Sequence, residues 1–292
     1  MTALQSRIAG APISWGVCEV PGWGHQLAPA RVLAEMRDLG LAATEFGPDG
    51  FLPAAPDRAA GLLAGHGLAA VGGFVPAVLH DRAHDPLPGL EQVLPFFTAA
   101  GAGSLVLAAA TGRDGYDTRP RLDQAQWATL LTNLGRLRDA AAAAGIVATV
   151  HPHVGTVVQT PSELRRVLDG SDVPVCLDTG HLLVGGADPV QIAASVPDRI
   201  AHVHLKDVAA DIAADVRSGR ITYAEGVRSG LYRPLGQGDA GIAAIVTSLE
   251  QAGYRGWYVL EQDTALDAEP PAGGGPAADV AASLEFLARV AA

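Results

Sequence analysis

The sequence predicts a single-domain (β/α)8 TIM barrel. Three observations carry the prediction. Eight short apolar runs alternate with longer amphipathic stretches over about 250 residues. Several of those stretches open on proline, which suits a first helical turn, and several are followed by a glycine suited to a C-terminal cap: Gly40, Gly67, Gly101, Gly145, Gly170 and Gly253. From the fifth run onward the runs end on histidine, aspartate or glutamate, at the face where such barrels build sites.

In chain order the expected strands are residues 8–14, 43–46, 69–75, 104–109, 146–151, 173–177, 200–205 and 257–261. Between them lie helical patterns at 29–39, 56–66, 89–100, 122–144, 161–168, 189–195 and 242–252, with a last one at 276–290. A doubly wound open sheet is the alternative, but no Gly-x-Gly-x-x-Gly turn follows the first strand, and the turn at Gly236 and Gly238 is misplaced for one. Two stretches depart from the repeat. Residues 206–238 form a long insertion after the seventh strand, a position where barrels carry lids, and residues 264–275, rich in Pro, Gly and Ala, read as a flexible loop.

Composition excludes several classes. An apolar fraction of 49% supports a sizeable core, and 17% charged residues is too few for a disordered chain. A net charge of −11 argues against nucleic acid or an anionic membrane as partner. No apolar run is long enough to span a bilayer, and no signal peptide is expected. Two cysteines, Cys18 and Cys176, far apart, give no disulfide framework, so a reducing cytoplasm is the expected location.

The strand ends carry the chemistry. They read TVHPH at His151 and His153, CLDTGH at Asp178 and His181, HVHLKD at His202, His204 and Lys206, and VLEQD at Glu261 and Asp263. Lys206 is the chain's one lysine; the other strong bases are arginines. Imidazoles and carboxylates together suit a divalent first-row ion. A step of two residues along a strand moves roughly 6–7 Å, so one residue of each same-face pair can be a ligand while the other lies a layer away. Asp178 also suits plain turn capping, and His202, one layer deeper than His204, reads first as a hydrogen-bonded core residue.

Residues 151–156 (HPHVGT), 176–183 (CLDTGHLL), 202–207 (HVHLKD), 234–239 (PLGQGD) and 260–263 (LEQD), with 11–16 (APISWG) and 44–48 (TEFGP), resemble the xylose-isomerase-like barrels of sugar isomerases and epimerases. Within that superfamily the chain is most similar to inosose dehydratases. The resemblance spans nearly the whole chain. It implies one metal ligand from each of strands five to eight, at His151, Asp178, His204 and Glu261, and a divalent metal ion: Mn or Co first, with Zn, Fe or Mg also suited. His151 departs from the glutamate of the epimerases, so a symmetric two-base epimerisation loses one of its carboxylates.

The expected reaction is dehydration of a keto-inositol (inosose) by α-proton removal and loss of a β-hydroxyl, the alternative being isomerisation or epimerisation of a ketose. Glu45 or Glu261 would be the base, with His181 or Lys206 assisting proton transfer or holding enolate charge. Trp15 would offer a flat face to a polyol ring, and His153 and Arg217 are further substrate contacts. A phosphodiesterase of the endonuclease IV type would want more histidines and a basic face. A non-catalytic sugar-binding barrel would need no metal. The expected partners are a small cyclic polyol ketone or sugar and further copies of the chain, as a dimer or tetramer.

Overall fold

A computed structural model describes residues 4–291. Its strands are β1 (Ile8–Gly10), β2 (Ala43–Thr44), β3 (Ala69–Ala70), β4 (Gly72–Ala77), β5 (Ser104–Ala109), β6 (Val147–Val150), β7 (Val175–Asp178), β8 (Ile200–Leu205), β9 (Asp207–Val208), β10 (Tyr232–Arg233) and β11 (Tyr258–Leu260). Its helices are α1 (Pro29–Asp38), α2 (Pro56–Gly65), α3 (Leu87–Ala100), α4 (Gln124–Ala143), α5 (Pro161–Gly170), α6 (Thr179–Gly185), α7 (Pro189–Ser195), α8 (Ala210–Arg217), α9 (Tyr223–Arg228), α10 (Ile242–Gln251) and α11 (Pro276–Val290).

Nine strands form one sheet in the order β3-β2-β1-β11-β8-β7-β6-β5-β4. The two ends of that order are consecutive in the chain, joined by Val71. The ladder runs through the join: Val71 N–H donates to the Thr44 carbonyl at 3.0 Å, Phe46 N–H to Gly72 at 2.9 Å, and Ser104 N–H to Val71 at 3.0 Å. β3 and β4 are thus the two halves of one barrel strand, and the sheet is the expected (β/α)8 barrel. Glycine is required at the break, because Gly72 has φ +152° and a Cβ there would overlap the Ser104 carbonyl oxygen.

The period-two alternation sorts side chains into two layers. Ile8, Leu105, Leu107, Val203 and Leu205 join Leu33, Met36, Leu130 and Leu134 of the helices in the outer core. Ala9, Ala43, Val71 and Val259 form a separate small cluster. Each buried leucine or isoleucine of the outer layer contributes about 1.5–3 kcal/mol. Small residues in the second cluster leave room for larger polar side chains further along the strands.

Three details differ from the expected elements. The first strand stops at Gly10 and gives way to a 3-10 turn over Pro12–Trp15, because proline has no N–H for the ladder. Ser14 takes over there: its hydroxyl donates to the Leu260 carbonyl at 3.2 Å and accepts from Gln262 N–H at 3.0 Å. Helix α6 was not expected; it starts directly after β7 on the cap supplied by Asp178. The 264–275 segment lacks helix and strand but is anchored, with Trp23 Nε1 donating to Thr264 at 2.8 Å and Arg31 to Glu269 at 2.8 Å.

The insertion is folded. β9 and β10 pair antiparallel around α8 and α9. Its Tyr223, Val227, Leu231 and Tyr232 pack with Trp23 and Val154 into an apolar cluster of their own. Among the described residues, no helix is long and apolar enough to cross a membrane.

Candidate metal and substrate site

Four neighbouring strands, β6, β7, β8 and β11, deliver the polar residues. His151 follows β6, its N–H on the Leu107 carbonyl at 2.8 Å; Glu261 follows β11, its N–H on Leu205 at 3.1 Å. Asp178 pairs in register with His204, and His204 with Val259. Glu261 therefore lies a layer above His204, level with Lys206.

The structure brings the four expected ligands together. His151 Nε2 is 3.2 Å from Asp178 Oδ2. His204 Nδ1 is 3.4 Å from Asp178 Oδ2 and 2.9 Å from Glu261 Oε2. Ligand atoms of Asp178, His204 and Glu261 all lie within 4.8 Å of one another, as do those of His151, Asp178 and His181. His204 Nδ1 is buried and, despite its close carboxylate neighbours, makes no aligned hydrogen bond. The other nitrogen, Nε2, meets Glu45 Oε1 at 3.0 Å, and His202 Nε2 meets the same oxygen at 2.8 Å. A proton on Nε2 leaves an Nδ1 lone pair facing two carboxylate oxygens, an arrangement that calls for a cation.

Charge balance points the same way. Asp178, Glu261 and Asp263 crowd around one buried ammonium, and a fourth carboxylate, Glu45, is buried against His202 and His204. Burial raises the Asp178 carboxyl, but Lys206, His181 and the imidazoles of His151 and His204 outweigh it and hold its pKa well below the ordinary value. Burial opposes charge on His204, yet Cys176, Glu261 and Glu45 hold its pKa well above the ordinary value, so Nδ1 carries a proton unless a metal cation takes that proton's place. So many anions in a buried cluster favour a positive partner. The donor set, imidazole with carboxylate, fits a divalent ion. Burial pushes the Cys18 thiol up to about 12 and Cys176 to about 11.

Asp178 has two roles at once. Its Oδ1 accepts from His181 N–H at 2.8 Å and caps α6, while Oδ2 faces the cluster. Glu45 lies beneath His204 with Oε1 engaged by two imidazoles; burial raises its carboxyl, but His204 and His202 outweigh burial and lower it. Lys206 Nζ donates to Asp263 Oδ1 at 2.6 Å, and lies 3.0 Å from His181 Nε2 and 3.0 Å from Glu261 Oε2.

A cavity of about 240 Å³ opens above, walled by Glu45, His151, His153, Lys206, Glu261 and Asp263 together with Trp23, Phe74 and Tyr116. His153 Nδ1 donates to the Val154 carbonyl at 2.6 Å, and burial together with His151 and Lys206 brings its pKa down to about 3, so the ring is neutral. Trp15 and Arg217 lie elsewhere. Trp15 is packed in the outer core with Nε1 on Glu35 at 2.8 Å, and Arg217 bonds the Leu183 carbonyl at 3.1 Å. Arg217 lines a larger flank cavity of about 790 Å³ with Arg119, Arg121 and Arg166, which holds none of the strand-end imidazoles. Sequence reasoning missed Trp23 and Phe74. Phe74 is 40% exposed, unusual for a large apolar side chain on a barrel strand, with its ring 6.0 Å from His151 and 5.6 Å from His153.

The profile of the xylose isomerase-like TIM barrel matches residues 33–290. The chain belongs to the xylose isomerase-like TIM barrel family. Within it, the chain is 32% identical over 271 residues to the rhizopine catabolism protein MocC of Rhizobium meliloti, covering 89% of this chain and 82% of the relative. It is 30% identical over 280 residues to the inosose dehydratase of Geobacillus kaustophilus, covering 91% and 90%. Among solved structures, an L-ribulose 3-epimerase superposes with a TM-score of 0.70 at 18% identity over 98% of this chain and 94% of its own. The IOLI protein, solved with a zinc atom, superposes with a TM-score of 0.69 at 13% identity over 98% of each. Both share the fold of this xylose isomerase-like barrel.

Proposed function

We propose that this xylose isomerase-like barrel removes water from a keto-inositol with the help of a divalent ion, Mn or Co first, held by His151, Asp178, His204 and Glu261. The observation that carries the reading is the imidazole of His151 at the end of β6, beside Asp178 at 3.2 Å. It leaves Glu261 without an opposed carboxylate on β6. One-sided proton removal follows from that asymmetry more readily than two-sided epimerisation. Similarity to inosose dehydratases over nine-tenths of the chain supports the substrate class.

When bound, the ion would polarise the substrate carbonyl and offset charge building on its oxygen. The residues do the rest. Glu261 takes the α-proton; Glu45, engaged by two imidazoles, orients His204 instead. The C–H electron pair forms the new C=C bond as the β C–O bond breaks. Lys206, 3.0 Å from Glu261, gives the departing hydroxyl its proton, and water leaves. His153 donates to its own backbone through Nδ1, so Nε2 is left to accept from a substrate hydroxyl. Phe74, Trp23 and Tyr116 provide apolar surface for the C–H face of a ring.

NMR of keto-inositols and ketoses in heavy water tests this. Appearance of the dione derived from the enone supports dehydration. Solvent deuterium entering a ketose without water loss would establish isomerase or epimerase chemistry instead. Chelator-stripped protein should lose turnover and regain it with Mn or Co; undiminished turnover after stripping removes the metal from the mechanism.

A further inference from the structure

The insertion reaches the cavity through a short hydrogen-bonded chain that ends on the single lysine. Tyr223 of α9 donates to Asp263 Oδ2 at 2.5 Å, and Asp263 Oδ1 accepts from Lys206 Nζ at 2.6 Å. Tyr223 also shares a hydrogen bond with Tyr232 of β10 at 2.8 Å, and the Lys206 ammonium lies 5.3 Å from the Tyr232 ring. Lys206 and Asp263 wall the cavity; neither tyrosine does. Helix α6 closes the remaining side, since a Cβ on Gly180 would lie 2.6 Å from Lys206 Cβ and 2.9 Å from Tyr232 Cε1.

A lysine ammonium is a compact charge on a flexible stem, so its neighbours set its direction. Here Glu261 at 3.0 Å and Asp178 at 3.6 Å draw it toward the ligand cluster. Asp263, at 2.6 Å, is the closest carboxylate and holds it against that pull. Asp263 in turn has its second oxygen fixed by an insertion residue far away in sequence.

We propose that Tyr223 is a positioning residue for Lys206, acting through Asp263. Seating α9 thereby aims the ammonium at the substrate. This inference rests on the proposed reaction, in which Lys206 serves the departing hydroxyl.

Tyr223→Phe deletes one hydroxyl and keeps the ring. Its kcat should fall roughly ten- to a hundredfold, with KM changed by less than about twofold. Asp263→Asn should behave alike, and the double variant should fall no further than the worse single one, because both act on one contact. A second readout is independent of substrate. Feeding ¹³C,¹⁵N-lysine labels one side chain only, as the chain has one lysine. The Lys206 Cε–Nζ signal should move in both variants in the same direction, with unfolding midpoints measured alongside. An unmoved signal in Tyr223→Phe, or in Asp263→Asn should the first variant not fold, overturns the proposal; so does parent-like kcat with a moved signal. If the parent turns over no keto-inositol, the proposed reaction falls, while a moved signal still supports the tie between Tyr223 and Lys206.

Discussion

Asp178 shows how much one side chain carries here, capping α6 with one oxygen and facing His151 and His204 with the other. Both of its sequence readings, turn cap and cluster member, describe something real. Glu45 was legible as a candidate base, but its partner was not: the bond to His202 spans 157 residues and depends on barrel curvature. Trp15 was misplaced for a local reason. The strand ends at Gly10, the 3-10 turn breaks the two-residue phase, and the indole swings to Glu35 in the outer core. At this scale Glu45→Gln should fold normally and bind Mn about 10- to 100-fold more weakly, because the carboxylate that fixes the His204 tautomer is gone. Isothermal titration measures it, and parent-like affinity would remove Glu45 from that role. Trp15→Phe should lose stability through the Glu35 bond while leaving KM unchanged, which separates packing from substrate contact in one kinetic series.

Whole elements were legible wherever periodicity and punctuation agreed, and lost where tertiary contacts decide. The third strand reads as continuous, yet Gly72 splits it. Gly72→Ala must combine a strained φ with overlap at the Ser104 oxygen, and should cost roughly 2–6 kcal/mol in urea unfolding. A cost near zero would mean the break is not needed. Helix α5 opens on a capping box in which Thr160 and Glu163 serve each other, and Glu163 also pairs with Arg119 at 2.9 Å. Burial raises the Glu163 carboxyl, but the Thr160 and Gln159 amides and Arg119 outweigh it and lower the pKa below 4.5. A lowered folded-state pKa contributes stability above the unfolded value, lost as pH falls through the folded one. Glu163→Gln should therefore cost about 1 kcal/mol at neutral pH and close that gap as the buffer is taken below pH 4.5. A constant difference across the series would show that the carboxylate charge is irrelevant.

For the molecule as a whole, the barrel was readable because eight repeats of one pattern reinforce each other, while the insertion's fold was not. Its hairpin and two short helices hold together through the cluster around Tyr223 and Leu231, contacts that no local pattern encodes. Metal binding should register on the entire fold, since a ligand of the native state stabilises it by about 2.7 kcal/mol at a hundredfold excess over Kd. For a chain of this size that is a rise of roughly 4–5 °C in the unfolding midpoint. Calorimetry with Mn against chelator measures it, and coincident traces would sink the metal assignment.

Barrel opening should begin at the one strand that glycine splits. β3 pairs with β2 through two residues, at the join marked by Val71. β8, fifth in the nine-strand order, lies diametrically across the barrel from that join and carries His204, with Lys206 just beyond its end. Breathing at the seam would thus part the wall farthest from the imidazole and the ammonium. Amide hydrogen exchange should be faster at residues 69–72 than along Ile200–Leu205, a barrel whose split stave faces its most guarded one.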